Sequence, residues 1–153
     1  MRGLSFEIPN TYGKHLFEIL KCIDIQGFTW KIGDGEAYLV ENNTLSDPLF
    51  ESTGIIEAEK LYKKISNNEA YLIFTDLKAF SKGNNVKEIE TYEEFMESNC
   101  EFVFLLVDSS YVTIYSKDQD TISKIYEKAI SNGYGNIDFV TDKNDERTRL
   151  RTF

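Results

Sequence analysis

The sequence predicts an α+β fold: a single mainly antiparallel or mixed sheet with about four helices packed on it. Three observations predict it. The stretch Glu101-Phe-Val-Phe-Leu-Leu-Val-Asp108 is apolar at nearly every position, as a strand buried on both faces must be. Ser109-Ser110 then makes a tight turn into Tyr111-Val-Thr-Ile-Tyr-Ser-Lys117, so a hairpin forms the middle of the sheet. Elsewhere, apolar stripes at helical spacing alternate with short strand patterns. The chain has 153 residues, 41% hydrophobic and 14% aromatic, which excludes a disordered chain and suffices for one unstapled core.

In order, Leu4, Phe6 and Ile8 alternate with Ser5 and Glu7, a half-buried strand stopped by Pro9. Asn10 stands as a helix cap before Tyr12, Leu16, Ile19, Leu20 and Ile23. Phe28–Ile32 and Glu36–Val40 flank Gly33-Asp34-Gly35, read as a hairpin whose glycines supply positive φ. Residues 42–52 form a polar, Pro-containing loop with Leu49 and Phe50 tucked inward. Ile55, Ala58, Leu61, Tyr62 and Ile65 mark a second helix, with Lys63 and Lys64 favouring its C-terminal dipole. Ala70–Asp76 is a further strand. Thr91-Tyr-Glu-Glu94 is a capping box opening a short acidic helix held by Phe95 and Met96. After the central hairpin, Ile122, Ile125, Tyr126, Ala129 and Ile130 mark a last helix, stopped by Asn132-Gly133. A final strand over 136–141 follows. The predicted order is βαββα-βαββα-β, in one domain over 1–153 with 142–153 as a loose C-terminal tail. The repeated order fits an ancient duplication and chance recurrence equally well.

The net charge of −9 is segregated. Residues 33–59 and 88–116 each hold seven acids and no base, leaving 12 acids against 17 bases elsewhere. Such windows exclude nucleic acid as a partner for those surfaces and suit a basic protein partner; solubility alone is the plainer role. No apolar run reaches bilayer length and the N-terminus lacks a signal-peptide pattern, so no membrane is predicted and the expected location is cytoplasmic. Cys22 and Cys100, far apart and without a CxxC, read as buried thiols.

No catalytic, metal or nucleotide signature emerges, and no cofactor is predicted. His15 is the only histidine, which removes His-based metal sites and reads as a half-buried helical residue with a structural hydrogen bond. Neither Gly33-Asp34-Gly35 nor Gly133-Tyr134-Gly135 meets a phosphate-loop pattern. Asp142-Lys-Asn-Asp-Glu146 lacks the glycine and distal glutamate of a calcium loop. Arg147, Arg149 and Arg151 alternate and could hold an anion, or pair with the protein's own acids. Tyr111, Thr113 and Tyr115 share one face of their strand, which is an interface strip if uncovered and a second core if covered.

Arg2-Gly-Leu-Ser-Phe-Glu-Ile-Pro-Asn10, Val107-Asp-Ser-Ser-Tyr-Val-Thr-Ile-Tyr115 and Asn144-Asp-Glu-Arg-Thr-Arg-Leu150 resemble an uncharacterised family of small bacterial proteins, known as a domain of unknown function. The resemblance covers essentially the whole chain. It implies a single-domain bacterial cytoplasmic protein and carries over no activity or site.

The favoured function is a protein-binding or regulatory module, leaning away from an enzyme. Its candidate surface residues are Tyr111, Tyr115, Asp108, Glu93, Glu94, Glu97 and Trp30. The alternative is an enzyme or small-molecule binder whose pocket is assembled from residues distant in sequence, and a cleft lined by converging carboxylates is what would favour it. Homo-oligomerisation through the Tyr111 strand is a third reading.

Overall fold

The structure, a computed structural model, describes residues 1–152; Phe153, the last residue of the 142–153 tail, lies outside the described residues. At the centre is β7 (Cys100–Val107), paired on one side with β6 (Ala70–Ser81) and on the other with β8 (Tyr111–Ser116). Phe102, Phe104 and Leu106 enter the main core, while Val103 and Leu105 enter a second one. The run is apolar throughout because both faces are covered. The chain reverses at Asp108 and Ser109, at φ 51° and 65°, one residue earlier than the predicted Ser109-Ser110 turn. Small side chains that hydrogen-bond locally tolerate that conformation. Beyond β8 lie β1 (Gly3–Glu7) and β9 (Gly135–Val140).

On the other side of β6 the sheet forks, and here the expected hairpin at Gly33-Asp34-Gly35 is corrected. β2 (Phe28–Ile32) pairs with Leu77–Ser81, and β3 (Glu36–Glu41) pairs with Ala70–Phe74. The two strands therefore run end to end along β6 instead of folding back on each other. The glycines serve close approach, not positive φ. A Cβ on Gly33 would lie 2.6 Å from the Asp76 carboxyl carbon, and one on Gly35 would lie 2.5 Å from the Phe74 carbonyl oxygen. The expected loop over 42–52 is corrected too. Asn42 and Asn43, at φ 52° and 59°, turn β3 into β4 (Thr44–Pro48), and β5 (Gly54–Ile56) pairs with β2. Two branches, β3–β4 and β2–β5, thus leave one edge of β6.

The described residues give nine strands in one sheet, along the path β4-β3-β6-β7-β8-β1-β9 with β2 and β5 on the side branch, every pairing antiparallel. With two extra strands before the second helix, the halves no longer share one element order.

Three helices cover one face. They are α1 (His15–Leu20), α2 (Ala58–Asn67) and α4 (Gln119–Ser131), burying Leu16, Ile19, Leu61, Ile65, Ile122 and Ile125. α1 is shorter than its apolar stripe predicts, because Gly13 bridges to Ala70 and holds Thr11–Gly13 outside the helix. α3 (Tyr92–Glu97) lies on the opposite face. One half of the predicted capping box forms, Thr91 Oγ1 accepting from the Glu94 backbone at 3.1 Å, while the Glu94 carboxylate reaches one residue further back, accepting from the Glu90 N–H at 2.9 Å instead of from Thr91. Phe95, Tyr115, Val103, Leu105, Val140 and Leu150 form the dry part of this face. Asp145 accepts from Tyr115 at 3.0 Å and from Arg2 at 3.1 Å, and the Leu150 N–H donates to the Glu90 carbonyl at 2.8 Å. Among the described residues, no helix is long and apolar enough to cross a membrane.

Candidate functional site: a cavity at the fork of the sheet

Side chains alternate along β6, so Leu77 and Ala79 enter the main core while Asp76 and Lys78 share the opposite face. Both charged residues are buried, at 5% and 6% exposure, and Lys78 Nζ donates to Asp76 Oδ1 at 2.7 Å. Lys31 on β2 lies directly across from Lys78 in the strand register. Like charges at that spacing repel, and acids on either side compensate them. Asp76 answers Lys78, and Glu88 forms an ion pair with Lys31 that holds its carboxyl below the ordinary value.

These residues line a cavity of about 240 Å³, together with Asp34 and Arg151. Its roof is pinned by Glu90, which pairs with Arg151 at 3.3 Å and Arg149 at 3.8 Å, and by Thr152, which donates to the Asp34 carbonyl at 2.9 Å. Burial raises the Asp76 carboxyl above its ordinary value; Lys78 and Lys31 oppose that and Asp34 adds to it. Desolvation wins even with two ammonium groups nearby, so the carboxylate is under-compensated.

A second chamber of about 270 Å³ opens between the two branches. Ala37, Tyr38, Pro48, Phe50 and Phe74 give it apolar and aromatic walls, and Glu36 and Ser52 add polar groups. Ile32, Gly33, Thr53 and Asp76 line both chambers, so they meet at that point. Thr75, 2% exposed, also lines the second chamber, and its Oγ1 has no hydrogen-bond partner among the described residues. Leaving a buried hydroxyl unpaired costs about 1–3 kcal/mol, which a native fold tolerates only where something else is gained. Charged groups of both signs, an apolar chamber and an orphaned hydroxyl converge here, which is the composition of a ligand pocket.

The residues expected at a binding surface are dispersed. Trp30 is buried in the main core, its Nε1 donating to the Ile25 carbonyl at 2.9 Å and its ring edge-on to Phe102. Tyr115 is 0% exposed beneath Tyr92 and Phe95, and burial drives its phenol well above the usual range. The expected tyrosine strip is therefore reduced to Tyr111, 56% exposed beside the exposed Asp108. Glu93, Glu94 and Glu97 are exposed on α3, at the other end of the central hairpin, roughly 20 Å away for six residues of strand. β8 lies between β7 and β1, so the Tyr111 strand offers no free backbone edge to a second copy. His15 is half-buried and bonded to Thr11 Oγ1 at 3.1 Å, with burial lowering its pKa. Arg149 and Arg151 both pair with Glu90, the protein's own acid.

Of the seven charged cavity residues, only Arg151, offered with Arg147 and Arg149 as an anion-holding run, figures in the sequence expectations. Asp76-x-Lys78, two charges in register within an apolar strand, is the one local signal, and it is masked when the strand is ended at Asp76.

Comparison with known proteins gives a consistent placement. The chain is 42% identical over 150 residues to the uncharacterised protein YncE of Bacillus subtilis (strain 168), covering 97% of each chain. No solved structure matches. A family described as protein of unknown function (DUF2691) matches residues 1–151, and the chain belongs to that family.

Proposed function

We propose that this protein is a small-molecule-binding protein whose ligand occupies the two-chambered cavity at the fork of the sheet. The observation that carries this is the Asp76–Lys78 pair, buried on the cavity wall. A buried ion pair contributes little net stability compared with packed apolar residues, because desolvating two charges offsets their attraction. Its presence beside a cavity, with a carboxyl pushed up by burial, marks a functional position. The test is a thermal-shift and NMR screen of the purified protein against small charged and polar metabolites. Ligands should raise Tm in the natural protein and fail to do so in Thr53→Trp, where an exposed residue shared by both chambers is enlarged. An empty screen, or ligands indifferent to Thr53→Trp, would contradict the proposal.

The second reading is a basic protein partner for α3. Glu93 and Glu97 favour it, since both are exposed and neither has an ion-pair partner among the described residues. Such a contact would weaken steeply with salt and would be lost on reversing both charges. Trp30 and Tyr115 give it no support, being buried.

A further inference from the structure

The two chambers differ in a way that constrains the chemistry of what joins them, if the small-molecule reading holds. The polar chamber holds Asp34, Asp76, Glu88 and Glu90 against Lys31, Lys78 and Arg151, and Arg149 behind it also pairs with Glu90, so its acids and bases balance and the question is which acid lacks a donor. Lys31 is taken by Glu88 and Arg151 by Glu90, which leaves Lys78, among the described residues, as the one side-chain hydrogen-bond donor on the Asp76 carboxylate, at Oδ1. Oδ2 lies on the Gly33 side, where the glycine lets the backbone approach closely, since a Cβ there would sit 2.6 Å away, and no hydrogen bond to Oδ2 forms among the described residues. Asp76 lines the passage between the chambers, so the unmatched acceptor faces a ligand in transit from one to the other. In the apolar chamber the demand is different. Phe50 and Tyr38 offer flat surfaces, Glu36 on the same wall accepts from the Tyr38 phenol at 2.6 Å, and the one orphaned polar group among the described residues is Thr75 Oγ1. Thr75 and Asp76 are adjacent on β6 and point to opposite faces, so a single ligand satisfying both must be elongated and pass Gly33 and Thr53.

We infer that the cavity takes a small aromatic amine, with its ammonium at the Asp76 carboxylate, its flat body against Phe50 and Tyr38, and a hydroxyl at the far end on Thr75 Oγ1. The ammonium gives the Asp76 carboxylate, bonded by Lys78 at Oδ1, a donor at Oδ2. Aromatic stacking and burial hold the ring. The terminal hydroxyl gives the orphaned threonine its partner. This deepens the small-molecule reading by naming the ligand class, and its failure is separable from failure of that reading.

Three probes test it by calorimetric titration: tyramine, phenethylamine and 4-hydroxyphenylacetate. Tyramine should bind; phenethylamine, lacking the hydroxyl, should bind about five- to tenfold more weakly, the value of one hydrogen bond of about 1 kcal/mol. The acid, of the same shape and opposite charge, should not bind. Thr75→Val should bring tyramine down to the affinity of phenethylamine while leaving phenethylamine unchanged. Asp76→Asn should abolish binding of both amines; if that variant does not fold, the comparison of tyramine with the acid on the natural protein carries the same question. The inference is overturned if the acid binds as well as the amine, if tyramine does not bind at millimolar concentration, or if Thr75→Val keeps the preference for tyramine. Should those results come with other ligands that Thr53→Trp blocks, the small-molecule reading stands and the amine class falls.

Discussion

β6 and β7 are neighbours in the sheet, and on the same face they carry opposite chemistry. Asp76 lies in register with Leu105, and Lys78 with Val103. All four are buried. One pair sits in a dry cluster under Phe95, Leu150 and Tyr115, while the other lines a charged cavity. Depth in the sheet does not explain the difference; what lies above each strand does. α3 and the 145–150 segment press apolar side chains onto β7, whereas the fork of β2 and β3 opens a cavity beside β6. The dry side is built for stability. The charged side holds two ions, and packed hydrophobic residues often replace such a pair without loss of stability, which is the ground for the functional reading proposed above.

Single substitutions should expose the contrast most strongly. Lys78→Met alone leaves Asp76 buried and unpaired, and Asp76→Leu alone leaves Lys78 so; each should destabilise by about 3–5 kcal/mol, read by chemical denaturation. Leu105→Ala, on the dry side, should cost about 2–5 kcal/mol through lost burial and the cavity left behind. The two losses have different remedies: a second apolar substitution restores the charged side and not the dry one. Thr75→Val is expected to raise stability by about 1 kcal/mol, since it replaces a buried hydroxyl without a partner by a methyl of the same shape. A fall of that size would mean the hydroxyl is engaged.

Acid should separate the sides as well. Burial raises Asp76 above the ordinary 3.8, so the folded state holds that proton more tightly than the unfolded one. Its ionisation is therefore destabilising at neutral pH, and the penalty fades as pH falls through the window above 3.8. Glu88 and Glu18 have the opposite sign: lysines hold both below 4.5, and the stability they contribute is lost as pH falls through their lowered values. On the dry side no carboxyl replaces Leu105 or Val103, and Cys100, whose thiol burial pushes up to about 12, should resist a thiol reagent in the native protein that reaches the half-buried Cys22.

Much of the dry side was legible in the sequence. The run Phe102–Leu106 announces a strand buried on both faces, and Thr91-Tyr-Glu-Glu94 announces the cap of α3, because both signals are local. β4 was not legible: it is a polar edge strand with no buried alternation, and only Asn42-Asn43 hinted at its turn. Gly33-Asp34-Gly35 has the composition of a hairpin, and its true role depends on Asp76 and Phe74, which no neighbouring residue reveals. The cavity draws Lys31, Asp76, Glu88 and Arg151 from separate parts of the chain, so it exists only once β6 has brought its branches together. Whether the tyrosine face is covered depends on an element distant in sequence, and α3 covers it at Tyr115.

The most direct test of the contrast is the double variant Asp76→Leu/Lys78→Met, measured for unfolding free energy and for binding of whatever the natural protein binds. The account predicts stability unchanged or raised by about 1–4 kcal/mol, as for other buried ion pairs replaced by apolar residues, together with loss of binding. A double variant less stable than the natural protein by several kcal/mol would contradict it, since the pair would then be part of the scaffold.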